Sequence, residues 1–191
     1  MPLRLGSFKT VIRRKAKKGE PMGRPPARAA SPEQAPRLLT FYHDIIAASD
    51  ADAGWQVGSY PTRDMLEYHC ERGELFYIGE VDAAFVLTSE LTRGYDDVPW
   101  RIDAAPDQIA SMHMVGVHPS AQGKGMGRFM MREAARLARA QGCTVLRLDV
   151  YPDNAPAVKF YEAVGMTNLG RHTLEYEGFS PEQNYMFEMA L

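Results

Sequence analysis

Residues 118–131, HPSAQGKGMGRFMM, carry glycine at every second position, Gly123, Gly125 and Gly127, just before a run with helical periodicity. A helix start stripped of side chains presents unpaired backbone N–H groups and the positive end of a helix to an anion. Three glycines in a first turn cost about 0.5–1 kcal/mol each relative to alanine, which implies a compensating ligand. A P-loop needs GxxxxGK[ST], but Lys124 is followed by Gly125, with no hydroxyl to reach a magnesium ion. A dinucleotide site needs GxGxxG directly between strand and helix; here the spacing is GxGxG, and residues 118–122 intervene. What remains is an amide cradle suited to a diphosphate.

The elements around this stretch must position it. Ser31, Pro32 and Gln34 open a helix over about 32–48, with Leu38, Leu39, Tyr42, Ile45 and Ile46 at helical spacing. A second helix spans about 62–72, stopped by Gly73. Residues 75–91 read as a β-hairpin, 92–108 as a loop, and 109–117 as a buried strand running into the glycines. A helix then follows to Gly142, a strand over 144–150, a helix capped by Asp153 or Asn154 and ending near Gly165, and strands near 167–176 and 184–191. Leu146, Leu148 and Val150 share one strand face; Val145, Arg147 and Asp149 share the other. The fold class is α/β or α+β, a sheet covered by helices.

At 191 residues the chain suits one domain with a tail. Residues 1–27 form a basic, Pro/Gly-rich extension, within which Met22 would open a shorter chain, and 28–191 form the folded domain, starting with a short edge strand near 27–30. Residues 1–28 hold nine Lys/Arg against one acid, and the remainder thirteen against twenty-three, about +8 and −10. Without aromatic residues alternating along it for base stacking, the arm reads as a solvated tail, and nucleic acid is not an expected partner. No apolar run approaches the roughly 18 residues of a membrane span, and no secretory signal is present; the cytoplasm is the expected compartment. Cys70 and Cys143 share no metal spacing and read as buried thiols, so no metal is expected. Asp149 likewise has no spaced partner for a metal and reads as a solvated or salt-bridged acid.

Gln122, Gly125 and Gly127 fill the three defined positions of (Gln/Arg)-x-x-Gly-x-(Gly/Ala), and Asn154-Ala155-Pro156-Ala157-Val158-Lys159-Phe160-Tyr161-Glu162-Ala163-Val164-Gly165-Met166 fits Asn-x-x-Ala-x-x-Phe-Tyr-x-x-x-Gly-Phe with methionine at the end. The two together resemble the acetyl-CoA signature of the GNAT superfamily of N-acetyltransferases. The resemblance implies a mostly antiparallel mixed sheet of six to seven strands, splayed at the cofactor site and flanked by about four helices. It implies acetyl-CoA as co-substrate, its pyrophosphate on the amides of Gln122, Gly123, Lys124, Gly125, Met126, Gly127 and Arg128. Its pantetheine arm would lie along main-chain groups of Val115 and Val117, with Asn154 as a polar contact. Tyr161 takes the place of the family's general acid, and a main-chain N–H of the 109–117 strand that of the oxyanion donor.

The base is open. His113 shares the numerical parity of Val115 and Val117, and related arylalkylamine acetyltransferases relay a proton through a histidine there; Glu80 and Asp82 are rivals. The expected reaction is acetyl transfer to a primary amine of a small molecule. Alternatives are a protein N-terminal or lysine acceptor, or a non-catalytic CoA-binding module. The acceptor end is expected from the first two helices and the 92–108 loop, whose Tyr95, Asp96, Asp97, Trp100 and Asp103 would form an acidic, aromatic surface for a cation. Edge strands near the C-terminus offer a route to a homodimer.

Overall fold

The computed structural model describes residues 23–50, 53–175 and 180–191. The basic arm up to Met22 and the expected strand end at Tyr176 lie outside the described residues. In chain order the elements are β1 (Arg28–Ala29), α1 (Ala35–Ala48), α2 (Arg63–Glu71), β2 (Leu75–Ile78), β3 (Ala83–Thr88), β4 (Ile109–Val117), α3 (Met126–Ala140), β5 (Val145–Val150), α4 (Ala155–Ala163), β6 (Thr167–Leu174) and β7 (Glu182–Ala190). Seven strands lie in the order β1-β2-β3-β4-β5-β7-β6, antiparallel except for β4 beside β5. The C-terminal edge on which pairing between copies was expected is β6, with β7 inside the sheet.

Local chemistry sets the element ends. Thr62 Oγ1 accepts the Met65 N–H to start α2, and Gly73, at φ +70°, stops it. Asn154 Oδ1 accepts the Ala157 N–H, which makes Asn154 rather than Asp153 the cap of α4. The segment before β1 is packed: the buried Ala27 donates its N–H to Glu133 Oε2 of α3 at 2.9 Å, and Arg24 lies over the Phe129 ring.

Both sheet faces are covered, which is why β2 and β3 are buried at every position rather than alternating. On one face Leu38, Phe41 and Tyr42 of α1 and Leu66 of α2 pack on Leu75, Ala84 and Val86. On the other, Met130, Ala134 and Leu137 of α3 and Tyr161 of α4 pack on Phe85, Met112, Leu146 and Leu148. Cys70 and Cys143 are buried free thiols, one in each layer.

The 92–108 segment differs from the solvated, cation-binding surface expected of it. Tyr95 is 1% exposed and packs with Val98, Leu174 and Met186 over the β5-β7-β6 end of the sheet. Trp100 donates its indole N–H to the Tyr95 carbonyl at 2.7 Å, and the Arg147 guanidinium lies 4.2 Å over its ring. The two aromatic residues thus face inward as core, and Asp96, Asp97 and Asp103 stay outside on the surface.

β4 carries the feature that shapes the site. Ala84 pairs with Gly116 and Val86 with His113, so Phe85 alone faces both Met114 and Val115: a β-bulge. Met114 sits at φ +47°, in the left-handed region that a side chain disfavours. The fully buried Tyr42 of α1 donates its hydroxyl to the Met114 carbonyl at 2.7 Å. Gly116 lets α1 seat on this part of β4, for a Cβ there would lie 2.7 Å from Ile45 Cδ1 and 3.2 Å from the Phe41 ring. β4 pairs with β5 only from Ile109↔Val145 to Ser111↔Arg147. Past that point the two parallel strands separate.

Replacing Tyr42 with phenylalanine keeps the packing and removes the donor to Met114. We expect a loss of about 1–3 kcal/mol of stability, the cost of an unpaired buried carbonyl. Urea unfolding measures it; an unchanged midpoint would show that the bulge does not depend on this bond.

Candidate functional site

The gap between β4 and β5 opens into a cavity of about 700 Å³. Its floor is Met112, His113, Met114 and Val115 of β4 and Asp149 and Val150 of β5, with Asn154, Ala157 and Tyr161 of α4 on one side. His113 and Val115 of β4 and Asn154 and Tyr161 of α4 therefore border one cavity. Val117 ends β4 and leads from the cavity to the glycine stretch, where Gln122 Nε2 donates to the Val117 carbonyl at 3.1 Å. The cradle is thereby tied to the strand that lines the cavity.

At the glycines, Gly123 and Gly125 have φ of +70° and +74° and precede α3, with Gly125 as its N-cap; only Gly127 is inside the helix. Gly127 is required by packing, since a Cβ there would meet the Phe160 ring at 3.0 Å. All three glycines thus have a local structural reason, and their cost alone does not demand a ligand. What invites an anion is the cap itself: no side chain caps α3, no acid lies in its first turn, and Gly123, Lys124, Gly125 and Arg128 are exposed. Lys124 Nζ donates to the Ser120 carbonyl, and Arg24 donates to the Lys124 carbonyl, which steadies the turn from outside.

The bulge changes the side on which His113 lies. Val115 and Val117 pack toward the α3–α4 layer, while His113 and Met114 lie consecutively on the α1–α2 side. Numerical parity thus misplaces His113 relative to Val115, because the extra residue reverses the alternation. The imidazole still borders the cavity. Its Nε2 shares a 2.8 Å hydrogen bond with Ser111 Oγ, and its Nδ1 is 3.8 Å from Asp149 Oδ1. Burial lowers the His113 pKa below 6.5, with Asp149 opposing.

Asp149, read from sequence as a salt-bridged or solvated acid, lies within ion-pair distance of His113 and lines the cavity. Its Oδ1 accepts the Tyr95 hydroxyl at 2.8 Å and its Oδ2 the Asn184 amide at 3.3 Å. The placement of Asp149 opposite Leu148 and Val150 on β5 was the signal that could have found it. Glu80 and Asp82, the rival bases, are at the β2–β3 turn outside the cavity lining, where Glu80 pairs with Arg37 at 2.7 Å. Tyr161 is 6% exposed, flanked by Phe160 and Phe187; burial and then the Asp149 charge push its phenol well above the usual value.

Of the outer walls, α2 and Thr92 fall within the segments expected from sequence, and the other contributions do not. Trp55 and Tyr60 precede α2; Asp64, Met65, Tyr68 and His69 lie on α2; Glu90 to Thr92 follow β3; Glu182 and Asn184 belong to β7. The acidic, aromatic lining expected of Tyr95, Asp96, Asp97, Trp100 and Asp103 is present, but built from these residues. Of α1 and the 92–108 segment, only Thr92 contributes to the lining. Among the described residues there is no cluster of three or more His, Cys, Asp or Glu fit to hold a metal, and no helix is long and apolar enough to cross a membrane.

Over 88 residues, 46% of this chain and 47% of its relative, the sequence is 34% identical to a streptothricin acetyltransferase of Streptomyces lavendulae. Over 62 residues, 32% of this chain and 21% of the relative, it is 40% identical to a mycothiol acetyltransferase of Thermomonospora curvata. The matches thus span under half of these relatives' lengths. In fold it resembles an acetyltransferase from Salmonella typhimurium solved with acetyl-CoA, at a TM-score of 0.59 and 18% identity over 88% of this chain and 94% of that one. The model of the acetyltransferase (GNAT) family matches residues 42–166, so the chain belongs to that family.

Proposed function

We propose that the protein is an N-acetyltransferase that moves an acetyl group from acetyl-CoA to a primary amine of a small molecule. The observation that carries this reading is the meeting of His113, Asp149 and Tyr161 in one cavity that opens where β4 leaves β5, with the uncapped α3 terminus tied to the same strand. The residues present fit the co-substrate. The exposed amides of 123–128 suit a pyrophosphate, and the β5-facing edge of β4 past Ser111, released from the ladder, suits an amide-bearing pantetheine arm at Val115 and Val117. Asn154 uses Oδ1 as the α4 cap, which leaves its NH₂ as a donor at the cavity. Bound there, acetyl-CoA supplies a thioester carbonyl at which a C–N bond forms as the C–S bond breaks.

The chain's own groups handle two protons. The amine must lose one to attack. In the tautomer that donates Nε2–H to Ser111, neutral His113 keeps Nδ1 as the accepting nitrogen, and the lowered pKa favours the neutral ring at pH 7. The departing sulfur must gain one, and Tyr161, held as a phenol by burial, is the donor beside α4. A backbone N–H of β4 is the group available to stabilise developing negative charge on the carbonyl oxygen. The 700 Å³ cavity, lined by α2 and β7, favours a small acceptor over an extended peptide.

Tyr161→Phe is expected to lower kcat about 10²-fold or more while acetyl-CoA affinity stays within a factor of about three. Equal turnover by the two proteins removes Tyr161 from the mechanism. Gly125→Asp puts a side chain and a negative charge at the cradle and is expected to abolish CoA binding in calorimetry, whereas unchanged affinity undoes the pyrophosphate assignment. The kcat/KM profile should lose activity as pH falls below about 6.5, through the lowered His113 pKa, and His113→Gln should remove that limb. The same depression makes His113 stabilise the fold above the unfolded pKa and destabilise it as pH falls through that value, since the unfolded chain then binds the proton more readily.

A further inference from the structure

The cavity's charge is one-sided. Four carboxylates line it, Asp64, Glu90, Asp149 and Glu182, and no lysine or arginine does. Glu90 is paired with Arg72 at 2.6 Å, but among the described residues neither Asp64 nor Glu182 has an ion pair with Lys or Arg. These two come from different elements of the lining. Asp64 is on the exposed first turn of α2, one turn from Tyr68, so a carboxylate and a phenol ring share one helix face. Glu182 begins β7.

The strand register separates this outer charge from the reacting end. Asp149 of β5 pairs with Met186 of β7, and Glu182 lies four residues further along β7 on the same face, with Asn184 between them donating to Asp149. At about 3.3 Å per residue, the backbone positions differ by roughly 13 Å along the sheet. An amine whose reacting nitrogen lies beside His113 and Asp149 therefore leaves an outer anionic subsite open for a second cation.

Resting on the acetyltransferase reading, we propose that the acceptor is an elongated amine with a second positive charge, held at its far end by Asp64 and Glu182 beside the Tyr68 ring. A monoamine fills only the inner half of the cavity. Carboxylates on two walls attract the charged form of the far amine, while burial around His113 favours the neutral form of the near one, so one cavity can sort the two nitrogens of the same molecule.

Calorimetry in about 0.15 M salt, where exposed charges more than about 8 Å apart are largely screened, tests this with spermidine and n-butylamine as probes. Spermidine is expected to bind at least tenfold more tightly than n-butylamine to the unaltered protein, and Asp64→Asn/Glu182→Gln to bring the two affinities within about threefold. Equal affinities in the unaltered protein, or a preference that survives in the variant, overturn the proposal. Thiol release from acetyl-CoA in the same mixtures reads the transferase reading separately. Selective binding without release would sink that reading and leave the cation subsite standing; release with either amine and no binding preference would do the reverse.

Discussion

The parting of β4 from β5 is the constraint on which the site depends. Two parallel neighbours share a ladder for three residue pairs and then diverge, because β4 takes one residue more than β3 at Met114 and turns away. A left-handed non-glycine residue inside a central strand is costly, and it persists where the surroundings over-determine it. Here Tyr42 binds its carbonyl, and α1 presses on Gly116 two residues later. Everything that gives the cavity chemical use follows from this opening: freed main-chain edges, His113 and Asp149 brought within 3.8 Å, and room for α4 to bring Tyr161 to the same space.

The donor half of the site was legible in sequence because its determinants are local. Positive φ at Gly123 and Gly125, the cap by Asn154 and the contact of Gly127 with Phe160 each constrain residue type at one position, so a spacing can be read directly. The sheet, its helices and their order were legible for the same reason: hydrophobic period and caps are written within single elements. The face of His113 was not, because a bulge is a disagreement between two strands, and its count appears only when β3 and β4 are set side by side.

The outer half was legible only in part, through α2, for a different reason. Its walls are drawn from residues 53–69, 88–92 and 182–184, segments that only the folded sheet brings together. The 92–108 segment has the composition of a binding loop, yet its aromatic residues are used up as a cover over β5, β6 and β7. Composition cannot separate an aromatic that faces a ligand from one that faces a core; the indole N–H given to the Tyr95 carbonyl and the guanidinium over Trp100 decide it. Tyr95 nevertheless reaches the chemistry indirectly, by orienting Asp149.

Asp149 and burial act on His113 and Tyr161, the two proposed proton carriers, in an informative combination. Burial disfavours charge, so it lowers the pKa of His113 and raises that of Tyr161, keeping one a neutral base and the other a neutral acid. The Asp149 carboxylate favours the protonated form of both. It therefore works against burial at His113, strengthening the ring as a base, and with burial at Tyr161, keeping the phenol in its protonated form. One carboxylate, fixed by Tyr95 and Asn184, thus raises the proton affinity of both groups. The proposed transfer calls on no third ionisable group, which leaves Asp64 and Glu182 available to the proposed outer subsite.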